Sequence, residues 1–342
     1  MIKLQVIGLD LAKNVFQAHG IDASGQIRLK RRLHRDEVVN FFATLEPTLI
    51  GMEACATAHH WARELSVLGH EVRLMPPQFV KPYVKSQKND AADAEAICEA
   101  VQRPTMRFVP IKTVDQQAAL LLHRTREFLI RQRTSLISAI RGHLAEFGVI
   151  TAVRIRNVDR LVELLAVRGE DLPVLAKQML GVLTDQLCDV AERVKDVERQ
   201  LLAWHRSNEA SCRLATIPGI GPITASALAT SVVDAAQFAS GRQFAAWLGL
   251  VPQQRSSGGK ERLGKISKRG DGYIRQLLIH GARSVVSWRR RSTAVKDVWL
   301  AGLLLRRPFN VATVAQANKN ARIVWALMTT GKTYNPRLVR AA

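Results

Sequence analysis

Four carboxylates in the N-terminal part of the chain are spaced so that they could work together. Asp10 stands where the first predicted strand ends, and Glu53 where the fourth ends. Asp90 and Asp93, three residues apart, project from one face of a predicted helix near its N-terminus. Four such groups converging on one point repel one another strongly unless hard divalent cations neutralise them, and Mg²⁺ takes oxygen ligands of this kind. A pair of these ions stabilises both the attacking and the leaving oxygen of an in-line phosphoryl displacement. Taken singly, each acid has a plainer role: Asp10 in a turn, Glu53 at an exposed strand end, Asp90 as an N-cap and Asp93 in a favoured first turn. All four in this order in a basic chain point to phosphoryl chemistry on nucleic acid.

Two further motifs bear on such chemistry. Ser256-Ser257-Gly258-Gly259 is flanked by Arg255, Lys260, Arg262, Lys265, Lys268 and Arg269. A serine here acts as a phosphodiester nucleophile only where a neighbouring group or metal eases its deprotonation and cations hold the phosphate. Composition alone reads the segment as a flexible phosphate-contacting loop. Ile217-Pro218-Gly219-Ile220-Gly221-Pro222, followed by a helix, has the form of a helix-hairpin-helix. Gly219 and Gly221 would let the backbone turn tightly and present N–H groups to phosphate oxygens, without sequence preference. An ordinary Gly-Pro turn is the plainer alternative.

The elements that must position these groups are readable in outline. Residues 2–9, 14–21 and 26–33 predict three strands joined by short turns, then a helix over 36–45, a strand over 48–53, a helix over 59–68 and a strand over 71–75. A meander followed by βαβ alternation implies a mixed sheet with helices on its faces. Pro76-Pro77 ends that pattern, and 90–101 predicts the next helix. Residues 114–147 and 158–205 carry apolar residues at helical spacing with charges between them, so each predicts a long amphipathic helix able to pair as a coiled coil. A third region from Leu214 is helical, interrupted by a loop over 250–273, with Trp247, Trp288, Trp299 and Trp325 expected as its core anchors.

At 342 residues and 47% apolar content the chain buries a real core, which excludes intrinsic disorder, and no apolar run is long enough to cross a bilayer. The N-terminus runs directly into a strand-like segment, so a cytoplasmic, nucleoid-associated protein is expected. Cys55, Cys98, Cys188 and Cys212 form no CxxC pair and read as reduced thiols, and the scattered histidines give a zinc site little support. Lys+Arg is 50 against Asp+Glu 29, a net charge of +21, which calls for a polyanionic partner. The surplus is uneven. Residues 1–102 carry 12 basic and 12 acidic groups, 103–160 carry 11 and 4, 161–250 carry 8 and 10, and 251–342 carry 19 and 3. Two separate basic patches suit two polyanionic contacts.

Taken together, Ile7-Gly8-Leu9-Asp10, Gly51-Met52-Glu53, Asp90-Ala91-Ala92-Asp93, Ile217-Pro218-Gly219-Ile220-Gly221 and Ser256-Ser257-Gly258-Gly259 resemble the DEDD transposase family of insertion sequences, recombinases guided by a bridge RNA. The resemblance implies α/β plus all-α architecture: a RuvC-like, RNase H-fold domain over 1–150, a helical coiled coil over 151–207, and a transposase domain with helix-hairpin-helix and serine loop over 208–342. It implies that Asp10, Glu53, Asp90 and Asp93 bind Mg²⁺. Ser257 matches the family's nucleophile, which forms a covalent phosphoserine link to DNA, and Ser256 stands where some members carry an acidic residue. It also implies a homo-oligomer, dimer or tetramer, whose active sites combine the metal site of one subunit with the serine of another.

The expected function is therefore that of an insertion-sequence transposase that cuts and rejoins donor and target double-stranded DNA. A guide RNA would supply sequence choice while the protein reads duplex shape and backbone. Arg124, Arg126, Arg131 and Arg133 in the first basic patch are candidates for RNA contact. The second patch, with Gly219, Gly221, Arg255, Lys260, Arg262, Lys265, Lys268 and Arg269, is the candidate DNA-grasping surface. Two alternatives stay open: a RuvC-like Holliday-junction nuclease that uses metal-activated water and needs no serine, and a non-catalytic nucleic-acid-binding protein whose acids are structural.

Overall fold

The computed structural model describes residues 4–85, 89–150, 158–168, 172–256, 258–260, 262–291 and 298–335. These fall into two compact units, 1–114 and 115–342, so that the first long helix groups with the second unit.

The first unit is built on a five-stranded mixed sheet. Strand β1 (Val6–Asp10) pairs antiparallel with β2 (Val15–Ile21), and β2 pairs antiparallel with β3 (Ile27–His34). On its other side β1 runs parallel to β4 (Leu49–Glu53), and β4 runs parallel to β5 (Glu71–Met75), giving the order β3-β2-β1-β4-β5. That order and sense are consistent with an RNase H-like fold. Strand parity divides the two faces. Ile7, Leu9, Ile50 and Met52 point to one face and pack with α1 (Val38–Ala43) and α2 (Ala58–Val67) through Phe42, Trp61 and Leu65. Gly8, Asp10, Gly51 and Glu53 have the opposite parity and meet α4 (Asp90–Val101), which follows a one-turn helix α3 (Pro77–Val80). The Pro76-Pro77 pair therefore begins a helical turn instead of only ending a strand, as suits a proline at a first helical position.

In the second unit α5 (Val114–Glu146), α6 (Val158–Arg168) and α7 (Val174–Ser207) bury their apolar faces together. Leu129 of α5 packs with Val190 and Val194, whereas Ile140 and Leu144 pack with Leu180 and Leu187. As the number rises along α5 it falls along α7, so the pair is antiparallel. The single helix expected over 158–205 is two helices here. Pro173 caps α7, since it lacks an N–H and disfavours helical geometry in the residue before it.

The rest of the unit is a helical layer: α8 (Glu209–Leu214), α9 (Pro222–Ser231), α10 (Gly241–Trp247), α11 (Gly272–Arg291), α12 (Val298–Arg306) and α13 (Phe309–Thr330). Its core includes Leu228, Phe244, Leu278, Ala282, Ala317 and Val324. The segment expected as an uninterrupted loop contains a hairpin of β6 (Pro252–Gln254) and β7 (Leu263–Ile266). Trp325 anchors the core as expected, its indole N–H donating to the Ala235 and Phe238 carbonyls at 3.1 Å. Trp288 and Trp299 do not, being 65% and 40% exposed, and Trp247 is 39% exposed although it stacks against Phe244.

Candidate active site

The acid site is assembled by close approach of α4 to the sheet. A methyl group at Gly8 would overlap the Ala94 carbonyl oxygen and the Cys98 amide nitrogen, and one at Gly51 would lie 2.8 Å from Val101 Cβ. Glycine at these two positions thus lets the helix backbone sit on β1 and β4. Asn89 fixes where the helix starts, its side-chain oxygen accepting from the Ala92 N–H at 2.8 Å. Asp90 and Asp93 are in the first turn, so the N-terminal end of α4 delivers both to the strand end that carries Asp10. The N-cap is Asn89, not Asp90, which leaves the Asp90 carboxylate clear of that duty.

Carboxylate oxygens of Asp10, Asp90 and Asp93 lie within 4.8 Å of one another. Three of the four acids singled out by spacing therefore converge. Glu53, at the same-sense end of the neighbouring strand, is outside that trio but near enough for its charge to act on Asp10. Burial, then the charges of Asp93, Asp90 and Glu53, push the Asp10 carboxyl up to about 6. Such a cluster suits a hard divalent cation, which replaces mutual repulsion by shared coordination. Cys55, exposed just beyond Glu53, has its thiol pushed up by burial of the sulfur and by the charges of Glu53 and Asp10, so it is a poor thiolate donor. His59 takes the Lys112 backbone N–H at Nδ1 (3.2 Å), and His60 faces Glu64 at 3.6 Å; both act as structural polar groups.

The basic site in the second unit is the β6–β7 hairpin. Its base is clamped by backbone: Lys268 N–H donates to the Gly249 carbonyl (3.2 Å) and Ser267 N–H to that of Val251 (2.8 Å). Gly249 and Gly270 both have positive φ, and a methyl at either would overlap the opposite backbone. Above this base Arg255 N–H donates to the Arg262 carbonyl at 2.9 Å, and Ser256 Oγ accepts from the Arg262 N–H at 3.2 Å. Arg255, Lys260, Arg262, Lys265, Lys268 and Arg269 are all exposed around this loop. Ser257 lies outside the described residues.

The Ile217–Pro222 turn joins α8 to α9 as a tight connection. Gly219 has φ of +86° and packs on Gly281 of α11, where a methyl would come within 2.8 Å of the Gly281 carbonyl oxygen. Gly219 thus has a packing reason to be glycine, whereas Gly221 is exposed at the N-cap of α9 with open space around it. Of the four candidate arginines on α5, Arg124 and Arg131 are exposed, and Arg131 faces Glu127 at 3.6 Å. Arg133 is half-buried. Arg126 is 16% exposed and paired with Glu198 of α7 at 2.6 Å, which makes it a tie between the long helices. The spacing signals missed the pairing of buried His123 with half-buried Tyr273, 150 positions apart, whose side chains meet at 3.1 Å.

Comparison with known proteins places these features. A model of the IS116/IS110/IS902 transposase family matches residues 211–296, and a DEDD transposase model of IS110 type matches residues 7–148. The probable family 20 transposase of Pseudomonas aeruginosa is 53% identical over 337 residues, covering 98% of this chain and all of that one. The transposase of insertion sequence element IS1111A from Coxiella burnetii is 44% identical over 338 residues, 98% of this chain and 92% of its own length. That of element IS1328 from Yersinia enterocolitica is 42% identical over 335 residues, 98% of this chain and all of its own. The molecule is of the transposase class, an enzyme of DNA strand transfer. The chain belongs to the IS116/IS110/IS902 family of insertion-sequence transposases. Among the described residues, no helix is long and apolar enough to cross a membrane.

Proposed function

We propose that this transposase cuts and rejoins donor and target DNA through a covalent phosphoserine link at Ser257, with Mg²⁺ held by Asp10, Asp90 and Asp93 and completed by Glu53. The observation that carries the reading is the convergence of three carboxylates within 4.8 Å at the end of the central strand. Mg²⁺ bound there would neutralise the phosphate and stabilise the leaving oxygen. The Ser257 hydroxyl bonds to phosphorus while the bond to the strand's leaving oxygen breaks, the serine's proton ending on that leaving oxygen. Attack by the hydroxyl of another strand then breaks the serine–phosphorus bond, so strands are exchanged without net hydrolysis.

The Ser256 hydroxyl accepts the Arg262 N–H and so helps to close the loop, which favours its neighbour as the nucleophile. The six exposed cations around the loop would hold the phosphate. In this reading a guide RNA pairs with donor and target DNA, the exposed Arg124 and Arg131, with Arg133, contact its backbone, and the enzyme works as a dimer or tetramer.

Incubation with element-end DNA, co-expressed flanking RNA and Mg²⁺ should trap a covalent protein–DNA adduct, and mass spectrometry of the adduct peptide should place it on Ser257. Ser257→Ala should abolish the adduct and Ser256→Ala should retain it. Free cleaved ends without an adduct would instead indicate attack by metal-activated water.

A further inference from the structure

The charge balance of the first unit conceals a local run of cations. Residues 1–102 set 12 basic groups against 12 acidic ones, yet β3 carries Arg28, Lys30, Arg31 and Arg32 and no acid. It is an edge strand of the sheet, and charge on an edge has a plain use in blocking unwanted strand pairing. That use is indifferent to which face the charges take, so the strand register decides whether they do more.

Residues directly opposite one another on paired strands share a face of the sheet. Asp10 stands opposite Gln17, and Gln17 opposite Arg32. Arg32 therefore lies two strands from Asp10, in the same cross-strand row and on the same face, about 10 Å away at the usual strand spacing of about 4.8 Å. On this face α4 packs over β1, β2 and β4, while Arg28, Lys30, Arg32 and His34 of β3 are all exposed.

The other cations nearby are already engaged. Arg31 has the opposite parity, and its guanidinium lies over the Phe41 ring at 4.7 Å; Arg35, just past the strand, lies over Trp61 at 5.1 Å. Arg28 bonds to Asp22 at 2.6 Å across the β2–β3 turn. Lys30 shares the field of Glu95 on α4, itself bonded to Lys85 at 2.7 Å. The Arg32 side chain has no hydrogen bond, ion pair or ring contact among the described residues. A guanidinium grips phosphate oxygens bidentately. A polyanion that approaches the acid cluster is repelled by it, and an arginine on the same face offsets that repulsion.

We infer that Arg32 holds a backbone phosphate of the DNA strand being cut, two or three nucleotides from the bond that breaks. The offset follows from a separation of about 10 Å and a rise of about 3.4 Å per nucleotide along a duplex strand. The inference rests on the reading that the acid cluster handles the phosphate being exchanged. It makes Arg32 a binding residue that fixes the register of the strand and takes no part in bond making.

The test measures equilibrium binding of the full chain, with co-expressed flanking RNA, to element-end DNA in which one phosphate at a time is replaced by an uncharged methylphosphonate. Ca²⁺ in place of Mg²⁺ lets binding be read without cutting. Arg32→Gln should lower affinity for unmodified DNA about tenfold, as expected for a charged hydrogen-bonded contact, and reduce the slope of log affinity against log salt by about 1. A methylphosphonate two or three nucleotides from the cut should cost the parent a similar factor and cost Arg32→Gln nothing more. Arg32→Lys should keep part of the affinity, and Arg31→Gln, the same charge change on the opposite face, should keep all of it. Equal losses in Arg31→Gln and Arg32→Gln, a loss confined to RNA binding, or an Arg32→Gln protein that answers every methylphosphonate as the parent does would each overturn the inference. Strand transfer by Asp10→Asn in Mg²⁺ separates the two readings: at the parental rate it overturns the acid site and this inference with it, whereas its loss alongside an indifferent Arg32→Gln overturns this inference alone.

Discussion

Asp10 shows how a fold raises the energy of one residue so that a ligand can lower it. Burial and three neighbouring acids push its carboxyl up to about 6. Between about pH 4 and 6 the folded state keeps a proton that the unfolded chain has lost. Stability of the metal-free protein therefore falls as pH rises through that window, and the loss is complete above it. Asp10→Asn removes the charge and with it the penalty. In chelator at pH 7.5 this variant should be more stable than the parent by about 1 kcal/mol once solvent screening of the exposed Asp90 is allowed for, and so unfold at a higher temperature, and the gap should close near pH 4. Calorimetry across that range checks the sign. The same variant should lose strand transfer in Mg²⁺, since stability and activity pull apart where a site is strained for function. At the serine loop, Ser256→Ala removes an exposed hydrogen bond to Arg262 and should cost at most about 1 kcal/mol. A two-state urea titration checks this.

At the scale of elements, the site depends on the fit of one helix to two strands. Gly8→Ala drives a methyl into the α4 backbone, which has no flexible atom to yield. It should destabilise the protein by about 3 kcal/mol and weaken divalent-cation binding, since α4 carries Asp90 and Asp93. Gly51→Ala meets the Val101 side chain instead and should cost less. Thermal unfolding and a cation titration on both variants separate the two effects.

Much of this geometry was legible in the chain. Short β-branched runs between turn residues gave strand ends correct to within a few positions, and those ends carry Asp10 and Glu53. Three-residue spacing put Asp90 and Asp93 on one helix face. Less legible was that Gly8 and Gly51 share a parity with the acids, because a glycine in a strand announces close approach without naming the partner. The division of α6 from α7 was missed because apolar periodicity continues across Pro173 while the backbone does not. The β6–β7 hairpin was missed because its strands are short and largely exposed, with no alternation to detect. His123 and Tyr273 were invisible because their partnership depends on packing between distant helices.

For the whole molecule, the uneven charge makes a prediction that salt can read. Lys265, Lys268 and Arg269 are exposed on or beside the hairpin, and neutralising all three to Gln should reduce the slope of log affinity against log salt for duplex DNA by about 3 if each meets a phosphate. Arg124, Arg131 and Arg133 changed together should weaken RNA retention while leaving that slope nearly intact. If either set lowers both affinities equally, the two patches serve one ligand. Arg126 belongs in neither set, because its pairing with Glu198 ties α5 to α7 and its loss would be read as unfolding.

The carboxylate trio lies wholly within residues 1–114, while the basic hairpin begins only at Pro252. During synthesis at about 5–20 residues per second, the segment between them takes roughly 10–30 s to emerge. A mixed α/β unit of this size folds far faster than that. The newborn chain can therefore assemble its carboxylate cluster while still attached to the ribosome and lacking the basic hairpin, so translation itself imposes a delay between the acidic cluster and the cationic loop.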